Sequence, residues 1–198
     1  NWRQPMRWAR EAAAAYAAGA TMRHTVFSAS LADWLDNQVP QEWRDDLGVL
    51  IGNTPELDWL LLTKRPENYR KLAPWHPEQP PANVCLGVST EDQERFDHRW
   101  PIISKFPAKV HFISAEPLLG PIDIRGQQAI LPEWVITGGE SGPKHRQLDM
   151  ENVRLLRDQA EPLLIPFHHK QNGGRRGDEN GCLVDGEEWK QFPAALAA

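Results

Sequence analysis

Six short, nearly continuous apolar runs punctuate the chain: HTVFSA (24–29), DWLLLT (58–63), NVCLGV (83–88), KVHFIS (109–114), EWVITG (133–138) and LLIPFH (163–168). None alternates cleanly, which is the pattern of parallel strands covered on both faces. Their starts lie about 24 to 35 residues apart, room for a helical crossover each time. The stretches between them carry helical spacing. Residues 40–53 place Trp43, Leu47 and Leu50 on one face. Residues 149–162 do the same with Val153, Leu156 and Ala160, and Asp149 is the expected N-cap. Ser89 stands three residues before Asp92 in capping-box order, and Pro101 is expected to break or restart the helix of that crossover. An alanine-rich helix from Gln4 to about Ala18 precedes the first run.

Repeated strand and helix make an α/β protein, as an open doubly wound sheet or as a (β/α) barrel. A full eight-stranded barrel takes about 250 residues. Six runs in 198 residues fit a partial (β/α) barrel of about six parallel strands, like part of a TIM barrel. The chain is expected to be a single domain over 1–198, with residues 1–20 as an N-terminal helix and 172–198 as a C-terminal tail or hairpin.

Charge and composition narrow the function classes. The formal charge of −5 argues against a dominant polybasic surface and against nucleic acid as a partner. No run is long enough to cross a bilayer, and the N-terminus lacks the uninterrupted apolar segment of an export signal, so a cytoplasmic location is expected. Nine Trp and 17 Pro suggest packed loops more than disorder. The two cysteines, Cys85 and Cys182, read as free thiols, Cys85 as a small buried hydrophobe. No His spacing marks a metal site, and His111 is expected under a helix, opposite the face that carries Glu116.

The strand ends hold the candidate chemistry. In parallel α/β folds the C-terminal strand ends share one side, and the site is there. Here they lead into Ser30 and Asp33; Lys64 and Arg65; Glu91; Ser114 and Glu116; Gly138, Gly139, Glu140 and Ser141; and Lys170 and Gln171. Alternation puts Val110, Phe112, Ser114 and Glu116 on one face, and Trp134, Ile136, Gly138 and Glu140 on one face of the next strand. Glu116, Glu140 and Lys64 are therefore the candidate catalytic groups. Two carboxylates beside a lysine can act as acid and base, bind a cation, hold a divalent metal, or form a structural ion-pair network. The sequence GGESG (138–142) fits neither the P-loop nor the dinucleotide fingerprint. Its glutamate would repel phosphate, so an amine, a cation or a plain tight turn remains open.

Six ordered blocks carry a resemblance: VFSASLADWLD (26–36), DWLLLTKRPEN (58–68), NVCLGVSTEDQERFDHR (83–99), FISAEPLLGPID (112–123), WVITGGESGPKHRQLD (134–149) and PFHHKQNGG (166–174). Together they resemble a bacteriophage- and prophage-associated family of unknown function whose members are similar to radical S-adenosylmethionine enzymes. The resemblance implies, for full-length relatives, an N-terminal three-cysteine motif holding a [4Fe–4S] cluster, with S-adenosylmethionine on its open iron. It also implies a Gly-Gly-Glu stretch for the cofactor's amino group. Gly138, Gly139 and Glu140 match the letters, although they follow the fifth run and the family stretch follows the second strand. The cysteine motif is absent, so no cofactor is expected in this chain as it stands. The chain opens on Asn1 with no strand ahead of its first helix. Either a cluster-bearing segment lies upstream in a longer protein, or this member has lost it.

Three functions are consistent with these readings. The first is a radical-SAM-like phage protein of unassigned reaction, with a polar ligand site at the strand ends. In it Glu116 or Glu140 would take an amine, and Lys64 and Arg65 a carboxylate or phosphate. The second is a non-catalytic phage module that binds a protein or small molecule. The third is a divalent-metal hydrolase or lyase built on the two glutamates.

Overall fold

A computed structural model describes residues 2–28, 32–126, 130–177 and 179–197. Helix α1 (Gln4–Ala17) leads into β1 (His24–Ser28), followed by α2 (Gln41–Gly52), β2 (Leu57–Thr63), the short α3 (Tyr69–Leu72), β3 (Val84–Ser89), α4 (Gln93–Ile103), β4 (His111–Ala115), β5 (Trp134–Thr137), α5 (Met150–Ala160) and β6 (Phe167–His169). The six strands form one all-parallel sheet in the order of the sequence. That order decides between the two architectures. Each crossover moves one place the same way, so all helices lie on one face and the sheet curls into a half-barrel. No helix among the described residues is long and apolar enough to cross a membrane.

The strand faces sort as the alternation predicts. Leu57, Trp59, Leu61, Val84, Leu86, Val88, Ile113 and Val135 join the large cluster under the helices. Leu60, Cys85, Val110, Phe112, Trp134 and Ile136 form a smaller cluster on the inner face. Gly87 belongs to that inner face, where a Cβ would stand 2.3 Å from the Phe112 ring. A side chain there would expel the phenylalanine from the middle of the inner layer. His111 packs on the helical side, its ring edge against Trp100 of α4 and its Nε2 2.7 Å from the Phe106 carbonyl.

Several local expectations are corrected. Pro101 lies inside α4, whose last turn runs to Ile103. So near the C-terminus the missing N–H removes one bond without ending the helix. The cap of α4 is Asp92, which accepts from the Arg95 N–H at 3.0 Å, while Ser89 is the buried last residue of β3. In α2 the buried face is Arg44, Leu47, Leu50 and Ile51, and Trp43 is 60% exposed. The arginine is held by its bond to the Val39 carbonyl at 2.5 Å. The last strand begins at Phe167, because Leu163 closes a 3-10 turn and Leu164 turns left-handed at φ 55°. The β4–β5 crossover has no helix among its described residues. Its buried Leu118, Ile122 and Ile124 cover the sheet instead. Gln159 of α5 holds that segment, donating to the Ile122 carbonyl at 2.8 Å and accepting from the Ile124 N–H at 2.9 Å.

The C-terminal segment does more than trail. A hairpin of β7 (Leu183–Val184) and β8 (Glu187–Glu188) turns the chain back. Residues 189–191 then pair antiparallel with the free edge of β6: the His169 N–H donates to the Trp189 carbonyl and the Gln191 N–H to the Phe167 carbonyl. The strap next crosses the base of the inner face. Phe192 contacts Trp134 and His168, and Leu196 is fully buried in the inner cluster. It ends against the segment before β1, where the Arg23 N–H donates to the Leu196 carbonyl at 2.9 Å. The strap therefore joins the two open edges of the half-barrel. Truncating its fully buried leucine, Leu196→Ala, is expected to cost about 2–5 kcal/mol, read as a lower urea midpoint at unchanged slope.

Candidate functional site

The C-terminal strand ends open into a cleft of about 580 Å³. Its lining includes Asp33, Lys64, Arg65, Ser114, Glu116, Gly139, Glu140, Ser141, Lys170 and Gln171, together with Phe27, Asp36 and Thr63, which the sequence did not single out. Ser30 lies outside the described residues. Glu91 stands at the edge of the cleft through its ion pair with Lys64 at 3.3 Å. Gly138 carries no lining atom, and its role is to leave space: a Cβ there would meet Glu116 Oε1 at 2.5 Å.

Most carboxylates of this mouth are locked in place. Asp33 accepts from the Thr63 hydroxyl and the Lys64 N–H, both at 2.8 Å, from the Leu35 N–H at 3.0 Å, and from Arg65 at 3.2 Å. Arg65 also reaches Asp36 at 2.9 Å. Glu91 is gripped by Arg99 at 2.7 Å. Burial alone would raise the Glu91 carboxyl, but its own N–H and the Arg99 and Lys64 cations outweigh this and hold it below the ordinary range. Glu140 receives three bonds from Arg146: Nε at 2.7 Å, Nη2 at 2.9 Å and the backbone N–H at 2.8 Å. Those side-chain bonds first, then the backbone bond, hold the Glu140 carboxyl at about 2. A carboxyl so held does not carry a proton at neutral pH.

Glu116 differs from the other three. Its carboxylate meets the Ser114 hydroxyl at 3.2 Å and the Lys170 ammonium at 3.3 and 3.4 Å, all at the long end of hydrogen bonding. Lys170 itself lies 5.6 Å from the centre of the Phe27 ring, within reach of a cation–π contact. The Glu116–Pro117 peptide bond is cis.

The glycines of the GGESG stretch answer to packing. Besides the Gly138 space taken by Glu116, a Cβ on Gly139 would stand 2.6 Å from the Asn172 backbone. Beyond the sheet, residues 139–142 run beside 171–174. The Gly139 N–H donates to the Gln171 carbonyl, the Gly174 N–H to the Glu140 carbonyl and the Gly142 N–H to the Gly174 carbonyl. Gln171 closes this pair by donating to the Gly139 carbonyl at 2.8 Å and accepting from the Gly173 N–H.

With this geometry described, comparison with known proteins gives one result. A family model described as "Protein of unknown function (DUF5131)" matches residues 1–193. The chain belongs to the DUF5131 family. No curated protein matches it, and no solved structure does.

The residues of this DUF5131 chain do not fit an iron–sulfur cluster. Three thiolates are needed, and there are two cysteines. Cys85 is buried on the inner face, where desolvation pushes its thiol up to about 12, and Cys182 sits by the C-terminal hairpin, 3.7 Å from Glu188. Among the described residues no three His, Cys, Asp or Glu side chains converge as metal ligands. The partners that the sequence reading missed are Arg99 and Arg146. Arg99 lies two turns into α4 from Glu91, and Arg146 lies across a glycine-proline turn from Glu140. Neither spacing is diagnostic without the fold.

The Glu140–Arg146 pair sets a pH signature. A folded carboxyl held at about 2 against an ordinary 4.5 stabilises the fold fully above 4.5, and loses that contribution as pH falls through 2. The melting temperature of Glu140→Gln is therefore expected to lie below that of the parent by a constant margin near neutral pH. The margin should shrink between about pH 4.5 and 2, as followed by thermal denaturation across that range.

Proposed function

We propose that the cleft binds a small zwitterionic ligand of amino-acid type, and that Glu116 and Lys170 are the residues that receive it. The observation that carries this reading is the contrast among the mouth's carboxylates. Asp33, Glu91 and Glu140 each make at least one bond of 2.9 Å or less to a cation or donor that fixes them. Among the described residues, the Glu116 carboxylate meets only the Lys170 ammonium and the Ser114 hydroxyl, at 3.2–3.4 Å, and Lys170 has besides it only the face of the Phe27 ring. Glu116 is 15% exposed and Lys170 53%. A ligand ammonium can replace the lysine beside Glu116 while the lysine follows the ligand's carboxylate. Both ion pairs then persist, so little desolvation is left uncompensated.

Lys64 is the other cation free to move, since its partner Glu91 keeps Arg99 when it leaves. It is the group placed to donate to a further acceptor oxygen or nitrogen on the ligand. Ser114 orients Glu116, Gln171 fixes the Gly139 backbone, and Arg65 braces Asp33 and Asp36. Ser141 and Gly139 supply the cleft wall.

The choice of ligand rests on the resemblance to radical-SAM-like phage proteins. The sequential half-barrel order and the polar mouth at the C-terminal strand ends support that kinship. S-adenosylmethionine carries the required ammonium and carboxylate on one carbon. The paired-glutamate metal hydrolase is the weaker reading, because Arg146 occupies Glu140.

The test is a thermal shift with S-adenosylmethionine. At about 100 times Kd a ligand adds about 2.7 kcal/mol, a rise of roughly 5–10 °C for a chain of this size. Glu116→Gln, Lys170→Ala and Gly138→Ala, the last by displacing the Glu116 carboxylate, are each expected to abolish the rise. No shift in the parent protein, or an undiminished shift in all three variants, removes the proposal.

A further inference from the structure

The β5–β6 side of the mouth carries a feature that the ligand site does not use. The parallel backbone pair of residues 139–142 and 171–174 ends in two turns that lie together. Ser141 bridges Gly174, and a Cβ on Gly177 would touch the Ser141 hydroxyl at 3.3 Å. One turn carries Lys144 and Arg146, the other Arg175 and Arg176, and Lys170 stands at their inner end. Arg146 is committed to Glu140. Lys144, Arg175 and Arg176 are exposed, and among the described residues no carboxylate pairs with their side chains. Among the described residues, Glu179 accepts the backbone N–H groups of Arg175 at 2.6 Å and Arg176 at 3.3 Å. It fixes the turn from the backbone side and makes no ion pair with either guanidinium. Gly173 and Gly174 have φ of 79° and 134°, a backbone reserved for glycine, and this aims the turn.

We infer that this basic rim binds the phosphodiester backbone of a single nucleic-acid strand that passes across the mouth. The whole-chain charge of −5 conceals the cluster, whose neighbouring acids are engaged: Arg146 takes up Glu140, and the Arg175 and Arg176 N–H groups take up Glu179, while Asp178 lies outside the described residues. A small phosphate would be served inside the cleft. Lys144, Arg175 and Arg176 are not part of the cleft lining, so whatever engages them extends beyond a space of about 580 Å³. A phosphate-bearing polymer meets that requirement, and arginine and lysine are the side chains that hold phosphates in such complexes. The rim adds to the zwitterion site and brings the strand next to Lys170, where a nucleotide would face the bound ligand.

Fluorescence anisotropy with labelled single-stranded DNA and RNA oligonucleotides tests it on the full chain. Binding is expected at low salt, weakening steeply from about 50 to about 200 mM salt. The triple variant K144A/R175A/R176A is expected to bind at least about tenfold more weakly. Its salt slope should be shallower by about 2, at roughly 0.7 for each phosphate that no longer meets a cation. Circular dichroism checks its fold. Should it not fold, the single variants R175A and R176A must each lower both affinity and slope. No binding at low salt, unchanged binding in the variants, or full displacement by millimolar inorganic phosphate overturns the inference. The S-adenosylmethionine shift is expected to survive the triple substitution. Loss of oligonucleotide binding with that shift intact therefore separates a rim failure from a failure of the ligand site.

Discussion

A parallel sheet that curls only halfway round leaves a concave apolar face with no layer over it, and covering that face at its base constrains the rest of this structure. Two devices do so. The strap from Trp189 to Ala197 ties β6 to the segment before β1 and buries Leu196 among Trp134, Val110 and Leu60. Beside it, fully buried Asp58 at the start of β2 takes Lys109 at 2.7 Å on both oxygens and Arg23 at 2.9 Å. One carboxylate thus binds the segments entering β1 and β4 to β2. Removing one member of such a buried set costs about 3–5 kcal/mol, because it strands a charge away from water. With the base closed, the opposite end is left as a wet mouth.

Closure from below explains why the mouth can hold so many ionised groups. Each strand must end somewhere, and here every end but that of β5, whose Glu140 pairs within its own loop, carries a charge whose partner comes from a neighbouring segment: Asp33 with Arg65, Lys64 with Glu91, Glu116 with Lys170. Partly buried charges interact through less screened space than surface pairs. The pairing therefore fixes the loop positions as well as neutralising them. The inner-face layer just beneath, Phe27, Leu62 and Phe112, gives the charged layer a dry floor.

The strands, their faces and the polar end were legible in the sequence because period-two alternation and strand-end chemistry are local signals. Val110, Phe112 and Ser114 share the inner face as that alternation requires, and Cys85 is buried there. What was not legible depends on partners distant in sequence. Arg44 takes the buried place expected of Trp43, and Val39, in the turn before α2, supplies a carbonyl to the arginine. The β4–β5 crossover dispenses with a helix because Gln159 satisfies its backbone. The hairpin of the C-terminal segment was foreseen as one alternative to a tail, but the strap after it was not, since its short apolar anchors, Phe192 and Leu196, have no periodicity of their own.

The GGESG stretch shows why letters alone misdirect. Its glutamate invites comparison with an amine-binding loop, yet Arg146 satisfies both oxygens of that glutamate. The first glycine serves a different glutamate, carried by the neighbouring strand: without a side chain at Gly138, the Glu116 carboxylate can lie over β5 and face Lys170. The carboxylate that faces Lys170 is therefore the one just after β4, and β5 contributes the space it occupies. The second glycine lets Asn172 and Gly173 approach, and that close packing aligns the two turns bearing Lys144, Arg175 and Arg176. One stretch thus sets the Glu116–Lys170 pair on its inner side and the turns bearing Lys144, Arg175 and Arg176 on its outer side, and so couples the geometry of the two proposed sites.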